Sequence, residues 1–141
     1  MLFRSVGAWI AERIADGLLP HEFGIFVRSE AQLDRALQAA KRADVPAVIL
    51  DQRVSTASGK LSICTMHLAK GLEFRAVAVM ACDDDVVPLQ ERIAAVGDDG
   101  DLRDVYETER HLLYVACTRA RDALLVTAVA PRSEFLEDMI S

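Results

Sequence analysis

A glycine followed by lysine would announce nucleotide chemistry most directly, within a phosphate loop of the form GxxxxGK[ST]. The chain's one Gly-Lys pair is Gly59-Lys60, followed by Leu61 and with no glycine at the required upstream position. Such a loop needs a run of backbone N–H groups, a lysine and a magnesium-binding hydroxyl. None is assembled here, so the chain does not hold a triphosphate by that route. Other groups could still meet phosphate. Arginine does so through a planar fork that never loses its proton, and Arg28 and Arg119 each lie beside an apolar run. Arg119 could equally be a surface arginine favoured by a helix C-terminus. Thr65 and His67 bring a hydroxyl and an imidazole to a strand end, where both can meet phosphate and sugar. Lys70 could reach phosphate or pair with a carboxylate, and Glu73 follows Gly71 in what reads as a sharp turn. Asp83-Asp84-Asp85 suggests either a metal or, more simply, a solvated loop.

Bulk properties narrow the field. The 141 residues make one domain, large enough to bury roughly two-thirds of the surface its unfolded form exposes. Net charge is 16 − 22 = −6, so any contact with nucleic acid must be local, made by a few groups on one face. Cys64, Cys82 and Cys117 form no CxxC pair and read as buried, reduced thiols of a cytoplasmic protein. His21, His67 and His111 are too scattered for a zinc site. The apolar runs are far shorter than the roughly 20 residues of a membrane span. Met1-Leu2-Phe3-Arg4 does not open a signal peptide; running straight into a helix, it reads as a cut from a longer chain.

The elements that must position these groups follow from apolar periodicity. A helical stripe runs through Ser5 to Leu19, and a second helix begins at Ser29, with Ser29 as N-cap and Gln32 completing a capping box. Phe23–Val27, Val45–Leu50, Leu61–Met66, Ala76–Ala81 and Ala123–Val129 read as strands, with Asp51 to Gly59 a polar turn. A short helix fits Leu89 to Val96, a strong one Tyr106 to Ala120, and a closing one Ser133 to Ile140. Strands alternating with helices, and apolar throughout, indicate a parallel α/β sheet with helices on both faces. Ligands gather at the carboxyl ends of such strands. Arg28, the His67–Glu73 segment and the residues near Arg119 are all expected there.

Three segments then carry a resemblance. Thr65-Met-His-Leu-Ala-Lys-Gly-Leu-Glu-Phe74 closely resembles motif V, T-x-H-x-x-K-G-L-E-F, of UvrD/Rep/PcrA-like superfamily 1 DNA helicases. Glu107-Thr-Glu-Arg-His-Leu-Leu-Tyr-Val-Ala-Cys-Thr-Arg-Ala120 resembles motif VI, whose core is R-x-L-x-Y-V-x-x-T-R-A. Phe23-Gly-Ile-Phe-Val-Arg-Ser-Glu-Ala-Gln32 resembles motif IV. Motifs V and VI are highly specific, and all three occur in the family's order.

The resemblance implies a second, C-terminal RecA-like motor domain, a P-loop-type fold without the phosphate loop, over residues 1–141. It implies that Arg119 is an arginine finger and Arg28 a second γ-phosphate contact, that Glu73 after Gly71 meets the nucleotide ribose, and that Thr65, His67 and Lys70 touch single-stranded DNA. ATP with Mg²⁺ would be held mainly by an N-terminal RecA-like domain. Tyr114 is expected to pack, and Glu109 to pair with an arginine of the motif VI helix. Two departures stand out: Val27 occupies the position of a base-stacking aromatic residue, and only Asp51 to Lys60 could hold the family's large accessory insertion. Two functions fit: half of an ATP-dependent 3′-to-5′ helicase or translocase, inactive alone, or a stand-alone binding module for DNA or a repair protein.

Overall fold

The structure, a computed structural model, describes residues 2–51, 59–83, 86–128 and 132–136. In chain order it comprises α1 (Leu2–Ala15), β1 (Phe23–Val27), α2 (Leu33–Arg42), β2 (Ala47–Ile49), β3 (Leu61–Thr65), β4 (Phe74–Val79), α3 (Gln90–Ala94), α4 (Asp99–Cys117) and β5 (Ala120–Val126). Short 3-10 turns occupy Pro20–Glu22, Glu30–Gln32 and Met66–Leu68. The five strands form one sheet in the order β2-β3-β1-β4-β5, with every pairing parallel. The expected α/β architecture is therefore present.

Strand side chains alternate between faces, and two cores result. Ile25, Val27, Ile63, Ala76 and Ala78 pack with Val6 and Ile10 of α1 and Ala36, Ala39 and Ala40 of α2. Phe26, Cys64, Val77 and Val79 pack on the other face with Leu113 and Ala116 of α4 and with Phe135. The sheet is thus covered on both sides, and central β1 is buried along its whole length. All three cysteines are free and buried. Burial pushes the Cys64 thiol up to about 12 and Cys117 to about 11, because the thiolate would be desolvated. No helix among the described residues is long and apolar enough to cross a membrane.

At Gly24 of β1 a Cβ would lie 2.4 Å from the Phe74 ring, which is itself buried between β1 and the α4 face. Gly24→Ala is therefore expected to destabilise the domain by about 1–3 kcal/mol through overpacking. A lowered urea midpoint with an unchanged slope would show it.

Several boundaries differ from the sequence-based expectations. Ser29 makes no side-chain cap; a 3-10 turn intervenes and α2 starts at Leu33. The Gln32 amide oxygen instead accepts from Arg35 Nη1 at 2.9 Å, so it does not reach back to complete a capping box. Helix α4 begins at Asp99, well before Tyr106. Asp98 is its N-cap and accepts from the Asp101 N–H at 2.8 Å. β4 and β5 start earlier than expected, at Phe74 and Ala120. Of the closing helix only Phe135 and Leu136 are described as helical. Gln52 to Ser58, which make up most of the candidate insertion stretch, lie outside the described residues, as do Asp84 and Asp85. Asp83 pairs with Arg35 at 2.8 Å, and no group of three potential metal ligands occurs among the described residues.

Candidate functional site: two edges of one sheet

In a parallel sheet every segment that precedes a strand lies at the opposite end from every segment that follows one. That rule divides the expected site residues. Arg28 follows β1, and Thr65 and His67 follow or end β3, so these three sit at the carboxyl edge as expected. Gly71 and Glu73 precede β4, and Arg119 precedes β5. They sit at the amino edge, which corrects the expectation that all three sets follow strands. Phe26 is level with Val79, so Arg28 is level with residue 81, whereas Arg119 O accepts from the Phe74 N–H at 3.0 Å. The two arginines therefore lie beyond opposite ends of the six-residue β4, about 20 Å of strand rise.

At the carboxyl edge Arg28 is engaged. Its Nε and Nη2 donate to Glu109 Oε1 and Oε2 at 2.7 and 2.6 Å, and both side chains are almost wholly buried, at 3% and 0% exposed. Glu109 also accepts from the Leu89 N–H at 2.7 Å and from Arg92 Nη1 at 2.9 Å. Burial alone would raise its carboxyl, but the hydrogen bonds from Arg28 and Leu89, with Arg28's charge and Arg92 behind them, outweigh it. The group is held below its ordinary 4.5. Arg28 Nη1 lies 3.2 Å from His67 Nε2. Arg28 is thus engaged by a buried carboxylate within the domain, and Glu109 pairs with Arg28 and Arg92 instead of an arginine of its own helix.

Thr65 and His67 line two neighbouring clefts. One, of about 440 Å³, is also walled by Arg28, Ser29 and Arg92; the other, of about 600 Å³, by Leu33, Leu50 and Leu68. Glu30 borders both, and Asp51 the larger, so the groove is not uniformly attractive to phosphate. His67 and Lys70 are exposed and Thr65 half-buried. Val27 is fully buried in the α1–α2 core and offers no surface to a base.

The amino edge is built differently. Gly71 holds φ +87° with open space around it, a conformation glycine adopts without steric cost. That turn brings the chain to Glu73, whose exposed carboxylate pairs loosely with Arg121 at 3.5 Å. Arg119 follows α4 directly. Its Nη2 donates to Thr118 Oγ1 at 3.2 Å, while its buried Nε has no partner. The Phe74 N–H to Arg119 O bond fixes Arg119 beside Glu73. Tyr114, expected to pack, is 65% exposed: it lies one residue past the buried Leu113, on a face shared with Glu107, Arg110 and His111.

Sequence reasoning missed the Glu109–Arg92–Leu89 arrangement. Its partners are 17 to 81 residues apart, and no local spacing announces them.

Comparison with known proteins completes the picture. The UvrD-like helicase C-terminal domain model matches residues 45–130, more than half of the chain. The ATP-dependent DNA helicase UvrD1 of Mycobacterium leprae is 31% identical over 135 residues, covering 86% of this chain and 16% of that protein. The ATP-dependent DNA helicase PcrA of Staphylococcus aureus is 37% identical over 75 residues, 53% of this chain and 10% of PcrA. The chain therefore spans about one-sixth or less of these relatives. The C-terminal domain of a possible DNA helicase from Lactobacillus plantarum WCFS1 shares the fold, with a TM-score of 0.57 and 24% identity over 89% of this chain and 70% of that one. With three motifs in order on a parallel sheet and a family match across both motif V and motif VI, this chain belongs to the UvrD-like helicase C-terminal domain family.

Proposed function

We propose that the chain is the second motor half of an ATP-dependent 3′-to-5′ DNA helicase or translocase, with its two chemistries on opposite edges of the sheet. The observation that carries this reading is the unpartnered, buried Nε of Arg119 at the amino edge, beside Glu73 and the Gly71 turn. An arginine with spare donors at a domain surface suits a γ-phosphate held by another domain. Arg119 serves as the finger; Glu73 meets the ribose. ATP with Mg²⁺ supplies the transferable phosphoryl group, cradled by an N-terminal RecA-like domain with its own phosphate loop. Thr65 and His67 at the carboxyl edge, with Lys70 on the segment that leaves it, touch single-stranded DNA.

The geometry links the two edges twice. The segment from Thr65 to Glu73 crosses from one to the other, and α4 carries Glu109 near one and ends beside Arg119 at the other. Closure of the domains on ATP and its reversal on hydrolysis would therefore reach the DNA track through rigid elements. The relatives' names, ATP-dependent DNA helicases, agree with this activity.

The chain on its own is expected to turn over no ATP, because it has no phosphate loop. It is expected to bind single-stranded DNA weakly. Lys70 is the one cation among the proposed DNA contacts, so log affinity should fall against log salt with a slope of about −0.7. Turnover by the isolated chain that Arg119→Ala abolished would overturn this reading. A slope several times steeper would place the DNA on another surface. A stand-alone binding module would instead retain all of its activity without a second motor domain.

A further inference from the structure

We infer that Arg28 is a positioning residue that fixes the tautomer of His67, so that this histidine presents Nδ1–H, and not Nε2–H, to its ligand. The inference rests on the assignment of His67 to the single-stranded DNA track and deepens it.

Arginine has five donors and no acceptor. A contact of 3.2 Å between Arg28 Nη1 and His67 Nε2 is therefore a hydrogen bond only if Nε2 offers its lone pair, which leaves the ring proton on Nδ1. The donor does not simply swing away. Arg28 is tied through Nε and Nη2 to Glu109, and Glu109 is tied in turn by the Leu89 N–H and by Arg92. Glu109 and Arg28 are buried, whereas His67 is exposed and lines both clefts. No other described residue bonds the imidazole, so one nitrogen is held from inside and the other is left for a ligand. What the site offers is an N–H donor oriented from inside, on the clefts that Thr65 also lines. Its complement is a phosphate or sugar oxygen of a single strand.

The test begins with the unmodified chain. Long-range ¹H–¹⁵N spectra of the histidine rings, recorded with the imidazoles neutral and assigned by the signal lost in His67→Ala, should show a protonated Nδ1 and a bare Nε2. A protonated Nε2 overturns the inference without touching the motor assignment. Next, oligodeoxythymidylate binding is followed by fluorescence anisotropy in the double variant Arg28→Met/Glu109→Leu, which removes both buried charges together. With His67 present, affinity should fall roughly tenfold, the value of one hydrogen bond to a charged phosphate. In the His67→Ala background the same double change should have no further effect. Equal losses in both backgrounds, or no loss in either, overturn the positioning role. His67→Ala binding as well as wild type would remove the DNA assignment beneath it, even with the Nδ1–H tautomer observed. The wild-type spectrum decides the tautomer whether or not the double variant folds.

Discussion

Arg119→Ala, introduced into a protein that carries both motor domains, is expected to lower ATP turnover by on the order of 10³-fold or more while leaving nucleotide affinity within a few-fold. Negative charge builds on the γ-phosphate oxygens as the bond to the leaving group loosens, and a cation held at that spot stabilises the transition state more than the ground state. Arg119 is suited to this by what surrounds it. Its backbone is fixed at the junction of α4 and β5 by the Phe74 N–H, and its buried Nε is uncommitted. Arg119→Lys should recover little, because a point charge does not reproduce the two-pronged fork. Steady-state kcat beside equilibrium binding of a labelled nucleotide separates the two effects. Unchanged kcat would remove Arg119 from the finger role.

The second large effect concerns stability. Glu109→Ala leaves the buried Arg28 charge without its carboxylate, which costs about 3–5 kcal/mol. For a domain of this size that corresponds to a fall in Tm of roughly 10 °C or more. Arg28→Ala costs less, because Arg92 and the Leu89 N–H still hold Glu109. The same pair makes stability depend on pH. Glu109's folded carboxyl titrates below its ordinary 4.5, so its stabilisation is fully present above 4.5 and is lost as pH falls through the lower folded value. Urea unfolding across pH 7 to 3 should therefore show a steep decline below 4.5 in the wild type, and a shallower one in Glu109→Gln. Parallel curves would mean that Glu109 is not the group responsible.

Much of this was legible from residue order alone, for identifiable reasons. Apolar runs at Phe23–Val27 and Leu61–Met66 announced strands buried on both faces, and the observed sheet is parallel with helices on each side. Motifs V and VI are local strings, so Thr65, His67, Glu73 and Arg119 could be singled out before any coordinates. Their distribution between edges was less visible. Position beside a strand was read as position after it, although Glu73 and Arg119 come before β4 and β5. The burial of Arg28 against Glu109 was not legible, because the two lie 81 residues apart and carry no local sign of the contact. Asp98 hid the start of α4 because an acidic cluster suits both a loop and a helix N-cap.

The direct measurement is ATPase rate against oligonucleotide concentration in a two-domain protein, comparing Arg119→Ala with His67→Ala. If nucleotide and DNA occupy opposite edges, Arg119→Ala should depress the plateau and leave the half-saturating DNA concentration alone. His67→Ala should raise that concentration and leave the plateau nearly intact. Both substitutions moving the same parameter, or each moving the other's, would contradict the division of this sheet into a nucleotide edge and a DNA edge.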